Sequence, residues 1–129
     1  MEYLADTVAI IRHFARTGVI GKKAKQILRD ADAGKNTIYI SVISLVEILY
    51  LAERNKIPIN FEEVKRRLNE SDNYQVIDLS LDIVEVAKTI QCLELHDRLI
   101  VATGKYLAIP ILTSDLPISN SNLIDVIWK

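Results

Sequence analysis

The sequence contains few of the residues that support disulfide scaffolds or cysteine-based metal centres. Among its 129 residues are one cysteine, four glycines, three prolines and two histidines. The single cysteine excludes an intramolecular disulfide and a cysteine-based zinc site, and its neighbours Ile90 and Leu93 lead us to expect an ordinary buried thiol at Cys92. His13 and His96 are too far apart to indicate zinc. We expect structural roles for both, with His13 on the outer face of the first helix, although His96 could line an acidic site.

Long apolar runs are also missing. The longest, residues 38–52, contains Glu47 and is shorter than the roughly 20 residues that a membrane-spanning helix needs. Glu2 and Asp6 interrupt the stretch where a signal peptide would have its apolar region. We therefore expect a cytoplasmic protein with a single domain over residues 1–129. Half of the residues are hydrophobic, which predicts that a partner covers some apolar surface.

The charge is nearly balanced overall but unevenly distributed. The formal net charge is −1, yet residues 12–35 hold seven basic and two acidic residues, whereas residues 69–100 hold seven acidic and two basic residues. Such asymmetry allows one face to hold a polyanion while another concentrates carboxylates. Solvated helix faces are the simpler explanation of either run taken alone.

Apolar periodicity and turn residues predict an alternation of strands and helices. The predicted strands are residues 3–5, 37–42, 74–79, 109–113 and 123–128. The predicted helices are residues 8–16, 22–33, 44–55, 61–68, 81–93 and 97–107. Repeated β–α units of this kind favour a parallel sheet with helices on both faces.

Four acidic residues fall near the ends of predicted strands. Asp6 follows the first strand, and Asp115 follows the fourth. Glu47 lies one turn into the helix after the second strand, and Asp97 opens the helix that leads to the fourth. Because sites in such sheets form beyond the carboxyl ends of strands, we expect these carboxylates to converge at one edge.

Each acid also has a purely structural interpretation, which is favoured for any one of them alone. The three aspartates could each cap a following helix or turn, and Ser44 to Glu47 matches a capping box. Together this explanation weakens, because Asp6 and Glu47 lie in apolar segments without a nearby cation. A buried carboxylate must be paired, protonated or bound to metal. A site with only oxygen ligands indicates Mg²⁺ or Mn²⁺.

Four short segments have an order and spacing that cover almost the whole chain. They are Tyr-Leu-Ala-Asp-Thr at 3–7, Ser-Val-Ile-Ser-Leu-Val-Glu-Ile at 41–48, His-Asp-Arg-Leu-Ile-Val-Ala-Thr at 96–103 and Ile-Leu-Thr-Ser-Asp at 111–115. Together these segments resemble the PIN domain, and more narrowly the VapC-type toxins of toxin–antitoxin pairs. The one departure is Val8, where the family usually has Asn, Ser or His.

The resemblance implies a three-layer α/β/α fold around a mainly parallel sheet of four to five strands. It also implies an endoribonuclease that depends on Mg²⁺ or Mn²⁺, forms a homodimer and is inhibited by a cognate antitoxin. The residues that match the family's acidic quartet are Asp6, Glu47, Asp97 and Asp115.

On this interpretation Asp6 and Asp97 would hold an ion, Asp115 would complete its shell or hold a second ion, and Glu47 would orient or deprotonate the attacking water. The remaining predicted roles are secondary. Hydroxyls that could hydrogen-bond the carboxylates belong to Thr7, Thr113 and Ser114, and side chains that would contact RNA phosphates are Arg98, Arg12 and Arg16. The alternative, which Val8 favours, is a scaffold that binds an antitoxin or RNA without cleaving.

Overall fold

The computed structural model describes all residues from 1 to 129 as alternating strands and helices. The five strands are β1 Glu2–Ala5, β2 Thr37–Ser41, β3 Tyr74–Ile77, β4 Ile111–Leu112 and β5 Val126–Ile127. The seven helices are α1 Thr7–Ala15, α2 Lys22–Asp32, α3 Val42–Glu53, α4 Phe61–Asn69, α5 Leu81–Lys88, α6 Leu95–Leu107 and α7 Leu116–Ser121. The order of elements is the predicted one, with the short helix α7 in addition.

All five strands belong to one parallel sheet in the order β3-β2-β1-β4-β5. β1 lies at its centre, where Leu4 pairs with Tyr39 of β2 on one side and with Ile111 of β4 on the other. The residues that follow β1, β2 and β4 therefore emerge side by side at one edge of the sheet, which we call the carboxyl edge. The mainly parallel α/β fold predicted from the sequence is confirmed.

The sheet separates two apolar cores. Tyr3 of β1 belongs to the core that includes side chains of α1, α2 and α4. Its neighbour Leu4 belongs to the core that includes side chains of α5 and α6. Since successive residues of a strand point to opposite faces, β1 is buried on both sides, as expected for a parallel sheet between two helical layers.

Two helices begin earlier than the sequence pattern predicts. α3 begins at Val42 because the Ser41 hydroxyl accepts a hydrogen bond from the Ile43 amide (3.2 Å), so Ser44 lies inside the helix and the capping-box interpretation of Ser44 to Glu47 is wrong. α6 begins at Leu95, so Asp97 lies in its first turn and does not cap it. Neither Glu47 nor Asp97 therefore has the helix-capping role that the sequence allowed.

The predicted exposure of His13 and the predicted burial of Cys92 are both wrong. His13 does not lie on an outer face: its side chain is 12% exposed, and Nε2 lies 2.9 Å from Oδ2 of Asp32 in α2. Burial lowers the pKa of His13, against the opposing effect of Asp32.

Cys92 is exposed rather than buried, because α5 ends at Lys88 and leaves the thiol in the connection to α6. No helix in the structure is both long enough and apolar enough to cross a membrane.

The start of α2 is fixed by a close approach to the end of β5. The Ala24 amide donates a hydrogen bond to the Trp128 carbonyl (3.1 Å), and a Cβ at Gly21 would overlap that carbonyl group. We expect Gly21→Ala to lower the free energy of unfolding by about 2 kcal/mol, because backbone cannot rotate away from the added methyl group.

Gly104→Ala is the matched control. There the added methyl group meets chiefly the terminal methyl of Ile124, which can rotate, and alanine gains about 1 kcal/mol over glycine inside a helix. Urea unfolding of both variants makes the comparison. Equal losses of stability would contradict the backbone contact at Gly21.

Candidate active site

The four acidic residues that the sequence singled out line one pocket at the carboxyl edge. Asp6 and Asp115 stand just beyond β1 and β4, and α3 and α6 bring in Glu47 and Asp97. The pocket has a volume of about 180 Å³. The other residues that line it are Thr7, Val8, His96, Ile100, Ser114 and Ile118. The predicted convergence of the carboxylates is therefore present in the fold.

Asp6 is the most deeply buried of the four carboxylates. Its Oδ1 accepts a hydrogen bond from the Ala9 amide (2.8 Å), which caps α1, and its Oδ2 accepts one from the Thr113 hydroxyl. Burial raises the pKa of Asp6, these two hydrogen bonds oppose the shift, and the charges of Asp115 and Asp97 add to it. The environment of Asp6 thus makes its ionised form costly unless a cation is near.

Thr113 connects two of the acids. Besides donating to Asp6, its hydroxyl oxygen accepts a hydrogen bond from the Asp115 amide (3.0 Å). Oδ2 of Asp115 in turn accepts from the Ile118 amide (3.0 Å), so Asp115 caps α7 as its structural interpretation predicted. Capping and a place in the pocket are compatible, because each cap occupies only part of the acceptor capacity of a carboxylate.

Thr7 has a different partner from the predicted one. Its hydroxyl donates to Oγ of Ser44 (2.9 Å), and both side chains are buried. This hydrogen bond joins the first turn of α1 to the first turn of α3, the helix that carries Glu47. Thr7 therefore holds the start of α1, which Asp6 caps, against the helix that supplies Glu47, and both Thr7 and Ser114 line the pocket.

Asp97 lies at the mouth of the pocket without a lysine or arginine partner. Burial raises its pKa most, and Asp115, Glu94 and Glu47 raise it further, against the opposing effect of His96. Among the four acids, only Glu47 has a lysine, arginine or histidine partner, and this is His96, whose Nε2 lies 3.1 Å from Oε1 of Glu47. His96 thus lines the acidic pocket, the position that the sequence left open for it.

The three arginines predicted to contact phosphates are not brought to the pocket. Arg98 points to α5, where it donates to the Ala87 carbonyl (2.9 Å), and its Nε is buried without a partner. Arg12 donates to the Val19 carbonyl (2.7 Å). Arg16 follows α1 at its far end, about 13 Å along the helix from Thr7. None of the three lines the pocket, and their contact with flanking RNA phosphates stays a prediction.

The donors in the pocket suit a hard divalent cation. Carboxylate oxygens are the ligands that Mg²⁺ and Mn²⁺ prefer, and no lysine or arginine lines the pocket to neutralise them. As the side chains stand, no three acidic, histidine or cysteine groups are close enough to hold one ion. Binding would require the carboxylates to move together, which their mutual repulsion opposes until a cation is present.

Comparison with known proteins places this geometry in context. The family model of the PIN domain matches residues 3–120. None of the curated protein sequences matches the chain. Several solved structures share the fold over nearly the whole chain, at sequence identities below 25%.

One of these structures is VapBC2 from Rickettsia felis bound to a DNA fragment from its promoter, with a TM-score of 0.73, 17% identity and full coverage of both chains. A toxin–antitoxin complex from Klebsiella pneumoniae has a TM-score of 0.68 and 23% identity, with 97% of this chain and 95% of that chain covered. VapC20 from Mycobacterium tuberculosis, a toxin that cleaves the sarcin–ricin loop, has a TM-score of 0.67 and 16% identity, with coverage of 96% and 98%.

The family model covers most of the chain, and the fold and the edge at which the acids meet agree with it. The chain therefore belongs to the PIN domain family, a family of nucleases.

Proposed function

We propose that this protein is a metal-dependent endoribonuclease and the toxin of a toxin–antitoxin pair. The observation that carries the proposal is the pocket at the carboxyl edge, where carboxylates from four separate segments meet without a lysine or arginine partner. Such a cluster is costly in the free protein and becomes favourable when a divalent ion is bound. A cytoplasmic location is part of the same proposal.

The acidic residues of the pocket would have different roles in the reaction. Asp6 and Asp97 would hold the ion, and Asp115 would complete its shell or hold a second one. Bound Mg²⁺ or Mn²⁺ would lower the pKa of water and stabilise the charge that develops on the phosphate. Glu47 would orient or deprotonate the attacking water, and His96, within hydrogen-bond reach of Glu47, would hold that carboxylate in place.

The contacts of Asp6 favour an active enzyme over a scaffold that only binds. Val8 lines the pocket, and its apolar side chain supplies no polar contact. Thr113, however, donates a hydrogen bond to Asp6, and the Ala9 amide donates a second. The carboxylate is therefore oriented from two sides despite the valine.

RNA is the substrate that the comparisons favour. VapC20, which shares the fold over nearly the whole chain, is a toxin that cleaves the sarcin–ricin loop. RNA cleavage at loops and splayed bases needs no sequence-reading motif in the protein, since such sites are recognised by shape and stacking. We extend this substrate class, and not the particular target, to the present chain.

An antitoxin partner is supported by an apolar surface on the helix that supplies Glu47 to the pocket. On α3, the helix that carries Glu47, Val46 and Tyr50 are 56% and 52% exposed, and Leu49 lies between them. Exposed apolar patches of this kind mark protein interaction sites. We propose that an apolar segment of the antitoxin covers this face and blocks access to the pocket. The homodimer stays a prediction, which sedimentation of the purified protein would check.

The proposed activity is tested by incubating the purified protein with structured and single-stranded RNAs in Mn²⁺, in Mg²⁺ and in EDTA. We expect cleavage that requires one of the two ions. Binding of RNA without cleavage in either ion would instead favour the non-catalytic scaffold, and cleavage that persists in EDTA would contradict the role of the four acids.

Replacing Thr113 by valine should weaken the affinity for Mn²⁺ by about 10-fold to 100-fold, because groups that orient metal ligands typically contribute this much. The change removes the hydroxyl that donates to Asp6 and accepts from the Asp115 amide. Thr103→Val is the matched control, since Thr103 is equally buried and its hydroxyl donates only to the Leu99 carbonyl in its own helix. Calorimetric titration measures both affinities, and equal values would contradict the role of Thr113.

A further inference from the structure

A second cleft adjoins the acidic pocket on the β5 side of the sheet. Its volume is about 640 Å³, and Ser114 lines both cavities, so the two lie on either side of this residue. We call it the β5 cleft. Its lining residues other than Ser114 are Lys23, Thr113, Leu116, Ser119, Asn122, Ile124, Asp125, Val126, Ile127, Trp128 and Lys129.

The position of Lys23 in this cleft is fixed by backbone contacts rather than by a loose loop. α2 begins against the end of β5, where the Ala24 amide donates to the Trp128 carbonyl and Gly21 leaves no side chain in between. β5 pairs with β4, the strand that leads to Asp115. A lysine from the early part of the chain is thereby held beside the last strand, at the same edge as the acids.

The chemistry of the β5 cleft complements that of the acidic pocket. The pocket has four carboxylates and no lysine or arginine, whereas the cleft has Lys23 and Lys129 against the single carboxylate of Asp125. The side-chain amide of Asn122 adds hydrogen-bond donors, whereas the Ser119 hydroxyl already donates to the Asp115 carbonyl (3.0 Å). Apolar surface is present as well, from Leu116, which is 69% exposed, and from Trp128, which is half-buried against the core that includes α1 and α2.

A single-stranded polyanion with flat bases matches this combination. Lysine binds backbone phosphates as a point charge, and aromatic or apolar side chains contact unstacked bases without regard to sequence. A strand whose phosphate lay among the four acids would extend directly into the cleft past Ser114. A protein segment is the less favoured occupant, because the apolar face on α3 lies elsewhere and the cleft offers cations.

We propose that the β5 cleft binds the RNA on one side of the cleaved phosphodiester, with Lys23 contacting a backbone phosphate and Trp128 and Leu116 contacting the adjacent base. The proposal rests on the proposed function for the identity of the ligand. It replaces the arginines suggested by sequence with a lysine that the fold brings to the site.

Trp128 is the only tryptophan of the chain, so its fluorescence reports on this cleft. The experiment titrates the full-length Asp97→Asn variant, in which RNA is bound but not cut, with a single-stranded RNA octamer. We expect the fluorescence to be quenched on binding and Lys23→Glu to raise the Kd at least about 10-fold. Lys23→Gln should reduce the dependence of log Kd on log salt by about 0.7, the value for one phosphate contact on a single strand.

Lys35→Glu is the matched control. Lys35 is exposed and follows the opposite end of α2, which lies about 13 Å along the helix from Lys23, so the same change of charge there should leave the Kd unchanged. Thermal unfolding monitored by circular dichroism checks that each variant is folded. Lys23→Glu in the otherwise unchanged protein should also raise the KM for RNA cleavage while kcat changes little.

The outcomes separate this inference from the proposed function. RNA cleavage by the unchanged protein, with no effect of octamer on Trp128 and no effect of Lys23→Glu on KM, overturns the inference alone. Quenching that depends on Lys23, in a protein that cleaves no RNA, supports the inference and counts against the proposed function. Quenching by an acidic peptide but not by RNA overturns the inference and assigns the cleft to a protein partner.

Discussion

Replacing Asp97 by asparagine is expected to lower the rate of RNA cleavage by on the order of 1,000-fold, because a bound ion supplies several kcal/mol of transition-state stabilisation and each 1.36 kcal/mol is a factor of ten. The substitution keeps the size of the side chain but removes the charge that would hold the ion. Asp97 lies in the first turn of α6 without capping it, so the helix should form as before.

Asp78→Asn is the control for this substitution. Asp78 is an exposed acid just beyond β3, at the same edge of the sheet but two strands away from β1. Its neutralisation should leave the rate within about twofold, since surface changes away from a site have small effects. Cleavage rates measured in Mn²⁺ compare the two variants. An Asp97→Asn protein as active as the unchanged one would remove Asp97 from the site.

Adding Mn²⁺ at about 100 times its Kd is expected to stabilise the protein by about 2.7 kcal/mol, which corresponds to roughly 10 °C in Tm for a chain of this size. The metal-free protein carries the repulsion among the four acids, and a bound cation removes it. Asp97→Asn should lose most of this gain. Thermal unfolding with and without the ion measures it, and an equal rise in Tm for both proteins would place the ion elsewhere.

The pH dependence in EDTA follows from the same groups. Burial and neighbouring charges raise the pKa of Asp97 in the folded protein above its value in the unfolded chain. The folded state therefore binds more protons between these two values, and its stability falls as the pH rises through that window. Asp97→Asn should thus be at least as stable as the unchanged protein at neutral pH, and this advantage should shrink as the pH is lowered.

The meeting of the four acids could be predicted because it follows from short-range information. Asp6 directly follows an apolar strand, and Asp115 follows a second one, so the parallel arrangement alone brings them together. The start of α3 is less accessible from the sequence, because Ser41 and Ser44 are equally good caps and only the end of β2 decides between them.

Contacts between distant parts of the chain could not be read from local patterns. The fold places Lys23 beside Trp128 because β5 joins the sheet next to β4 and α2 begins against it, and neither fact has a local signature. Arg98 follows Asp97 in sequence, yet its side chain contacts α5, since neighbouring residues on a helix point in different directions. The sequence thus predicts where the four acids lie, but it does not predict the positions of the Lys23 and Arg98 side chains.

The helix caps at Asp6 and Asp115 have a consequence for how an ion would be captured. A carboxylate that is already hydrogen-bonded to the first turn of a helix has lost its rotational freedom during folding. Ordering these two groups then costs little when the cation arrives. Asp97, which caps nothing and has no lysine, arginine or histidine partner, is the carboxylate that must adjust, so its ordering should be the main conformational cost of binding the ion.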